Sequence, residues 1–469
     1  MIAQPGESSV IAYLQQNRLE LTPDGQHIRW SHGNAIHPRN WPVLRKSFDT
    51  GLICLLDLLL FLLGQVVGTI VLPPWSEAFG RKKLYLISSA LSCVCCAIIG
   101  GVQSLAAVIV GRVFAGLIAA IPYTVGMGSV EDMWSSRPRI WVTFLWTIAS
   151  NLGLCVGPIM GTYISVFLNW RWLFYIYAIM IAVIAALFLF TRESRPSLLL
   201  SREVEKMRHH TGSRFQALNH DYIPGLRTFV KVSLFRPAIL FFREPLVFVV
   251  SVMVAFAFSL LYIFTEALQP IYEALGFTRT QSSLAFVAIA CGIWFSSLTR
   301  ILDNRIIDTR HRNQQPVKPE DKLLGLAIGA PVLAVSMWWF GWTIPPRQQD
   351  VHWIVPSIPL AMMGYALNEF DTVLYGYLGD CYLSYSASAT AAVAFLRALL
   401  SGVFPLFTKQ MFEALTPNVA VSVLAALATM FCIAPPLFMC YGERIRGRSP
   451  FAKHSIEVEA ELGNKDEGY

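Results

Sequence analysis

Charge is what this chain has least of. Asp, Glu, Lys and Arg make up 14% of its 469 residues, against 55% hydrophobic residues, a balance far from that of a soluble globular domain. It also lacks the usual marks of a catalytic or metal site. No nucleophile–base pair, H-E-x-x-H or phosphate loop occurs, so no enzyme chemistry and no cofactor is expected. Cys93 and Cys96 have C-x-x-C spacing, but no second pair and no histidine cluster accompanies them, which argues against zinc or redox chemistry. Cys54, Cys95, Cys155, Cys291, Cys432 and Cys440 likewise fall in or at the ends of apolar runs, where a small polarizable residue packs well. A cleavable signal is missing too: residues 1–46 are mostly polar, so the first apolar span is expected to direct insertion.

Long polar segments are absent away from the termini, except for Arg192–Phe242, a stretch rich in Arg and Lys with few acids. The formal net charge of +7 is spread over this and other connectors, which is the pattern of membrane topology rather than a nucleic-acid-binding face. Apolar runs fill the remainder. Before the central loop they cover about 47–74, 84–101, 105–130, 140–168 and 172–190. After it they cover about 245–269, 284–298, 323–344, 353–378, 387–407 and 419–440. Length and uniform apolarity make each a membrane helix, because an open sheet could not satisfy its backbone in lipid. Basic connectors (Arg81–Lys83, Arg137/Arg139, the central loop, Arg300–Lys322 and the C-tail) alternate with connectors holding one basic residue or none, which places the former in the cytosol. The expected organisation is a cytosolic tail over 1–46, a first bundle over 47–191, a cytosolic loop over 192–242, a second bundle over 243–441 and a cytosolic tail over 442–469.

Six spans follow the loop and five precede it. Arg39, Arg45 and Lys46 argue for a cytosolic N-terminal side of the first span, yet Arg81–Lys83 argues the same for its other end. One helix cannot begin and end on one side, and residues 47–74 are too few for two spans of about 20 residues and a turn.

Three ordered patterns carry the mechanism. In Pro73–Lys83, Glu77 stands four residues before Arg81, with Gly80 and a basic cluster, as in a tight cytosolic turn braced by an ion pair. Arg112, Gly116 and Ala120 recur every fourth residue and share one helix face. An arginine there faces a protein interior or wet cavity, makes an interhelical pair, or snorkels to the outer end. Gly153, Gly157 and Gly161 form a second such stripe, bent at Pro158, suited to close approach by a neighbouring helix.

Taken in order, these stretches resemble the loop signature, the R-x-x-x-G-x-x-x-A motif and the antiporter signature of the major facilitator superfamily. Asn40-Trp41-Pro42, Gly379–Tyr382, Phe395-Leu396-Arg397 and Tyr441–Arg446 resemble its fungal twelve-span drug:proton antiporters, the branch with polyamine and multidrug exporters. The resemblance runs from about residue 38 to 452. It implies an all-α membrane protein with two helical bundles around a substrate site, a proton-coupling role for Arg112, and monomeric export of an amphipathic or cationic small molecule, drug or toxin across the plasma membrane. Uptake by symport is the alternative direction, and the glycine–proline stripe argues against it. Asp57, Glu369, Asp371 and Arg397 are the intramembrane charges expected to serve substrate or proton, or to act as paired structural charges; Glu266 is more readily interfacial. Against the family pattern, Ser47–Phe61 looks like the opening of a first span and Leu63–Gly68 like the inner part of a second. Two half-helices and a loop are then missing near Leu60–Leu63, and the chain is expected not to transport, a non-transporting membrane protein being the alternative function.

Overall fold

The computed structural model describes residues 19–21, 28–30, 61–62, 64–69, 80–102, 104–133, 136–191, 193–194, 198–199, 236–313, 318–348, 351–382 and 385–452. Asp57, Glu77, the Asn40-Trp41-Pro42 stretch and nearly all of the central loop lie outside them. The chain divides into two units, residues 1–58 and 59–469. In the first, β1 (Leu19–Leu21) pairs antiparallel with β2 (Ile28–Trp30), Glu20 opposite Arg29.

The second unit is helical. Residues 61–62 and 64–69 are helical and precede α1 (Arg81–Gly101), α2 (Leu105–Met133), α3 (Ser136–Phe167) and α4 (Arg171–Phe190). After the central loop come α5 (Arg236–Arg243), α6 (Pro245–Ala274), α7 (Arg279–Ser283) and α8 (Ala285–Arg312). A 3-10 turn at Pro319–Lys322 leads into α9 (Leu324–Thr343), α10 (Ile354–Tyr382), α11 (Ser386–Phe431) and α12 (Ala434–Arg448). Seven helices among the described residues are long and apolar enough to cross a membrane. The polar residues Asn368, Glu369 and Asp371 dilute α10 below that mark, although its neighbours bury it. In contrast, α4 buries only Phe174 and Ala178 and presents Leu187, Leu189 and Phe190 outward, as a helix facing lipid should.

The last helices form a hairpin. α11 breaks at Thr416, whose φ is 65°, with Pro417 next, so the expected spans at 387–407 and 419–440 are longer and meet at a sharp turn. Tyr385 and Phe451, at the two ends, stack edge to face with centroids 5.5 Å apart. Asn418 Nδ2 donates to the carbonyls of Gly341 and Ile344, each at 2.8 Å, and closes the end of α9.

Two packing groups emerge. α1 packs on α2 and α4, while α6, α8, α9, α10 and α11 pack on one another; α3 touches both groups, chiefly through α7, α8 and α10. Phe144, Ile148 and Cys155 of α3 consequently belong to the large core of the second group, while the first group's own buried centre is Leu84, Ile121 and Val125.

A difference from the hydropathy reading has chemical consequences. The span expected to end at Leu298 continues as helix to Arg312. Arg300, expected in a cytosolic connector, is therefore an interior residue at 4% exposure.

Candidate functional site

Among the described residues, α3 reaches from the first group into the second group's core, and it brings an amide there. Asn151 Nδ2 donates to Asn368 Oδ1 of α10 at 2.9 Å, and Asn368 Nδ2 donates to Ser296 Oγ of α8 at 2.7 Å. All three residues are at most 2% exposed. A buried amide left without partners costs about 1–3 kcal/mol, so this chain holds α3, α8 and α10 in register. Beside it lies a small cavity lined by Asn151, Val254, Ala257, Phe258, Leu261, Leu367 and Asp371. It is apolar and aromatic on the α6 side, with an amide and a carboxylate on the other.

Glu369 and Asp371 are both buried but serve different neighbours, since two residues correspond to about 200° around a helix. Asp371 Oδ1 lies 3.7 Å from Arg397 Nη1 of α11, and the Arg397 guanidinium stacks 4.0 Å above the Phe258 ring. Glu369 turns the other way. Its Oε2 accepts from Arg300 Nη2 at 2.5 Å, and Arg300 Nη1 lies 2.7 Å from Asp303 Oδ2. A side chain on Gly325 of α9 would collide with both Glu369 and Arg300, so the glycine admits this charge cluster. Two expected site residues, Asp371 and Arg397, thus come together at the cavity, and Glu369 belongs to a second cluster whose partners hydropathy had placed elsewhere.

Arg112 lies away from both clusters. Its guanidinium stacks 4.6 Å above Phe174 near the start of α4, a half-buried position in the N-terminal third of α2. Gly116 and Ala120, on its face, are buried against residues 61–68. A Cβ on Gly116 would lie 1.9 Å from the Phe61 carbonyl oxygen, one on Gly64 would lie 2.1 Å from that of Val113, and one on Gly68 would meet Leu117 and Ala120. Here small residues let two backbones touch. The other stripe contrasts sharply: among the described residues, Gly153, Gly157 and Gly161 have no neighbour within 4 Å of where a Cβ would stand, with Pro158 inside the same helix.

The Gly80-Arg81 turn is built on the backbone. Gly80 has φ 91°, and a Cβ there would meet Glu193, so it suits glycine twice over. Glu193 Oε1 accepts from the Arg81 N–H at 2.8 Å and Oε2 from the Lys82 N–H at 3.2 Å. A carboxylate thereby caps the positive end of α1, and Lys82 Nζ donates to the Leu189 carbonyl at 2.9 Å. Glu244 plays a related part at the start of α6: it is buried and accepts from Tyr382 OH at 3.0 Å and from Ser449 Oγ at 2.9 Å. Arg446 meets Glu320 through both terminal carboxylate oxygens, and Lys322 meets Asp380 at 2.6 Å. The sequence reading singled out none of Asn151, Asn368, Ser296, Glu193, Glu244 or Asp303. For Asp303 a signal existed, an acid three residues after Arg300 in unbroken helical phase.

The sequence pattern of the Major Facilitator Superfamily matches residues 41–439. The multidrug transporter FLU1 of Candida albicans is 31% identical over 404 residues, covering 84% of this chain and 65% of that protein. The multidrug transporter TPO1_2 of Candida glabrata is 28% identical over 480 residues, covering 93% of this chain and 80% of that protein. An alignment of 480 positions exceeds this chain's 469 residues, so that relative carries residues with no counterpart here. Among solved structures, the proton:xylose symporter XylE superposes with a TM-score of 0.60 at 14% identity, covering 86% of this chain and 88% of that one. With the family match over most of its length, and with seven membrane-length helices among its described residues, the chain belongs to the major facilitator superfamily of membrane transporters, with fungal multidrug transporters among its relatives.

Proposed function

We propose that this protein exports small amphipathic or cationic compounds through the plasma membrane, as a monomer, driven by proton entry. The observation that carries the reading is the cavity between α3, α6 and α10. Its aromatic and aliphatic wall offers contact area to an apolar body, and Asp371 offers a counter-charge to a cation. Its small size marks a closed state, so a cycle would part α3 from α10 at the Asn151–Asn368 bond and rock one helix group against the other. Arg397 would hold Asp371 while the site is empty and yield it to a cationic substrate. The name of the relatives as multidrug transporters agrees with a cavity that relies on apolar contact and one charge.

The test is uptake of a fluorescent lipophilic cation into inside-out vesicles carrying an imposed pH gradient, acidic inside. Gradient-dependent accumulation that is lost in Asp371→Asn supports the reading, and accumulation unaffected by that change removes Asp371 from it. A second reading, a membrane protein that does not transport, is favoured by the open Gly153/Gly157/Gly161 stripe. Among the described residues, no helix packs on that face. Correctly inserted protein that moves no cation under any gradient would establish this second reading over the first.

A further inference from the structure

We infer that Arg300, Asp303 and Glu369 form a proton-binding site in which two carboxyl groups share one exchangeable proton. The inference deepens the proposed proton coupling and rests on it for its role, though not for its test. One guanidinium contacts two carboxylates, Glu369 through Nη2 and Asp303 through Nη1. All three residues are at least nine-tenths buried, with exposures of 4%, 2% and 0% for Arg300, Asp303 and Glu369. With both carboxyls ionised the cluster would carry one uncompensated negative charge inside a membrane protein, which is strongly unfavourable. One bound proton makes it neutral, and like-charged carboxyls close together commonly hold one proton between them.

The hydrogen bonds point the same way. Glu369 Oε1 completes no hydrogen bond, the Thr299 hydroxyl being at most a weak donor to Glu369. Neither Asp303 oxygen lies in line with an N–H, although Oδ2 is close to Nη1. Buried carboxylate oxygens normally collect donors; here two of them are left for a proton. No other described charge is placed to neutralise the cluster. Tyr365 of α10 spends its hydroxyl on Thr299 of α8 at 2.8 Å, and Arg305 of α8 is exposed. Next to α9, Lys322 is engaged by Asp380 and Glu320 by Arg446. α3 has no charged residue between Ile140 and Phe167. The Asp371–Arg397 pair has one charge of each sign and needs no proton, so the two clusters divide the work: one suits a substrate cation, the other a proton. Gly325, against which the cluster packs, is the second residue of α9, so the proton site lies toward the connector expected in the cytosol.

Infrared difference spectroscopy on the purified full chain in lipid nanodiscs reads the proton directly, through the C=O band of a protonated carboxyl at neutral pH. Asp303→Asn and Glu369→Gln should each remove one carboxyl's worth of that band, because either change leaves a neutral one-to-one pair with Arg300. Arg300→Gln should increase the band, as neither carboxyl then has a cation. A parent lacking the band, or a band that persists in either carboxyl variant, overturns the shared site. The spectrum is recorded at equilibrium without substrate, so a failure of efflux leaves it intact, and gradient-driven efflux without the band would overturn this site while leaving the transport reading standing.

Discussion

Gly116→Ala tests the backbone contact between residues 61–69 and α2, and its size can be worked from the structure. The added methyl carbon would lie 1.9 Å from the Phe61 carbonyl oxygen and 2.8 Å from its carbon. An ordinary carbon–oxygen contact needs roughly 3.2–3.4 Å, so the two segments must separate by about 1.3–1.5 Å, because no side-chain rotation relieves a clash with backbone. Overpacking of this kind costs about 1–3 kcal/mol, a fall of a few degrees in melting midpoint. Gly157→Ala makes the same chemical change with no described neighbour within 4 Å and should be neutral, or stabilising by up to about 1 kcal/mol through helix propensity. Gly64→Ala acts across the same contact, against Val113 and Leu117. Once the segments have parted, the second methyl costs less, so Gly64→Ala with Gly116→Ala should destabilise by less than the sum of the two. Thermal unfolding in detergent, followed by loss of the monodisperse chromatographic peak, gives all four values. Unchanged melting of Gly116→Ala beside a lowered midpoint for Gly157→Ala would refute the packing described.

Three further outcomes are expected. Gly80→Ala, which combines a positive φ with a clash against Glu193, should melt lower than Glu193→Gln, which only weakens the cap; equal midpoints would mean the turn has another backbone geometry. Asn151→Leu and Asn368→Leu should each destabilise by about 1–3 kcal/mol by stranding a buried amide partner, with a clearly sub-additive double variant; additive losses would show that the two amides do not meet. Glu320→Gln, which breaks the two-oxygen contact with Arg446, should lower the melting midpoint, whereas Lys318→Gln, at the exposed pair with Glu443, should leave it unchanged.

The membrane spans were legible because transfer free energy acts residue by residue. The run expected at 172–190 is α4 at Arg171–Phe190, and that at 323–344 is α9 at Leu324–Thr343. Hydropathy marks where lipid ends, however, and not where the helix ends. α8 runs on past Leu298 through Arg300 and Asp303, and Arg300 there meets Glu369, almost seventy positions away, a relation invisible to any local window. Asp371 and Arg397 stood out as charges among apolar neighbours. Asn151 did not, because one uncharged amide barely alters an apolar average, and its significance lies in meeting Asn368 from a different packing group. The two small-residue stripes read identically in sequence, yet among the described residues only the one holding Gly116 and Ala120 has a helical segment against it. Spacing specifies that a close approach is sterically permitted; the partner that makes it is a property of the fold.

Glu193 grips α1 through two of its peptide N–H groups. The grip therefore reads direction and not identity. Any residue with an N–H offers the same two donors, and among the twenty amino acids only proline withholds one. Positions 81 and 82 are in this respect decoupled from the cap they form, so their side chains can change over evolutionary time while the carboxylate keeps its hold. Glu193, which supplies both acceptors, and Gly80, which gives the chain room to turn, have no such latitude. Of the neighbouring polar residues in this stretch, the interchangeable ones are those that a charge count notices first.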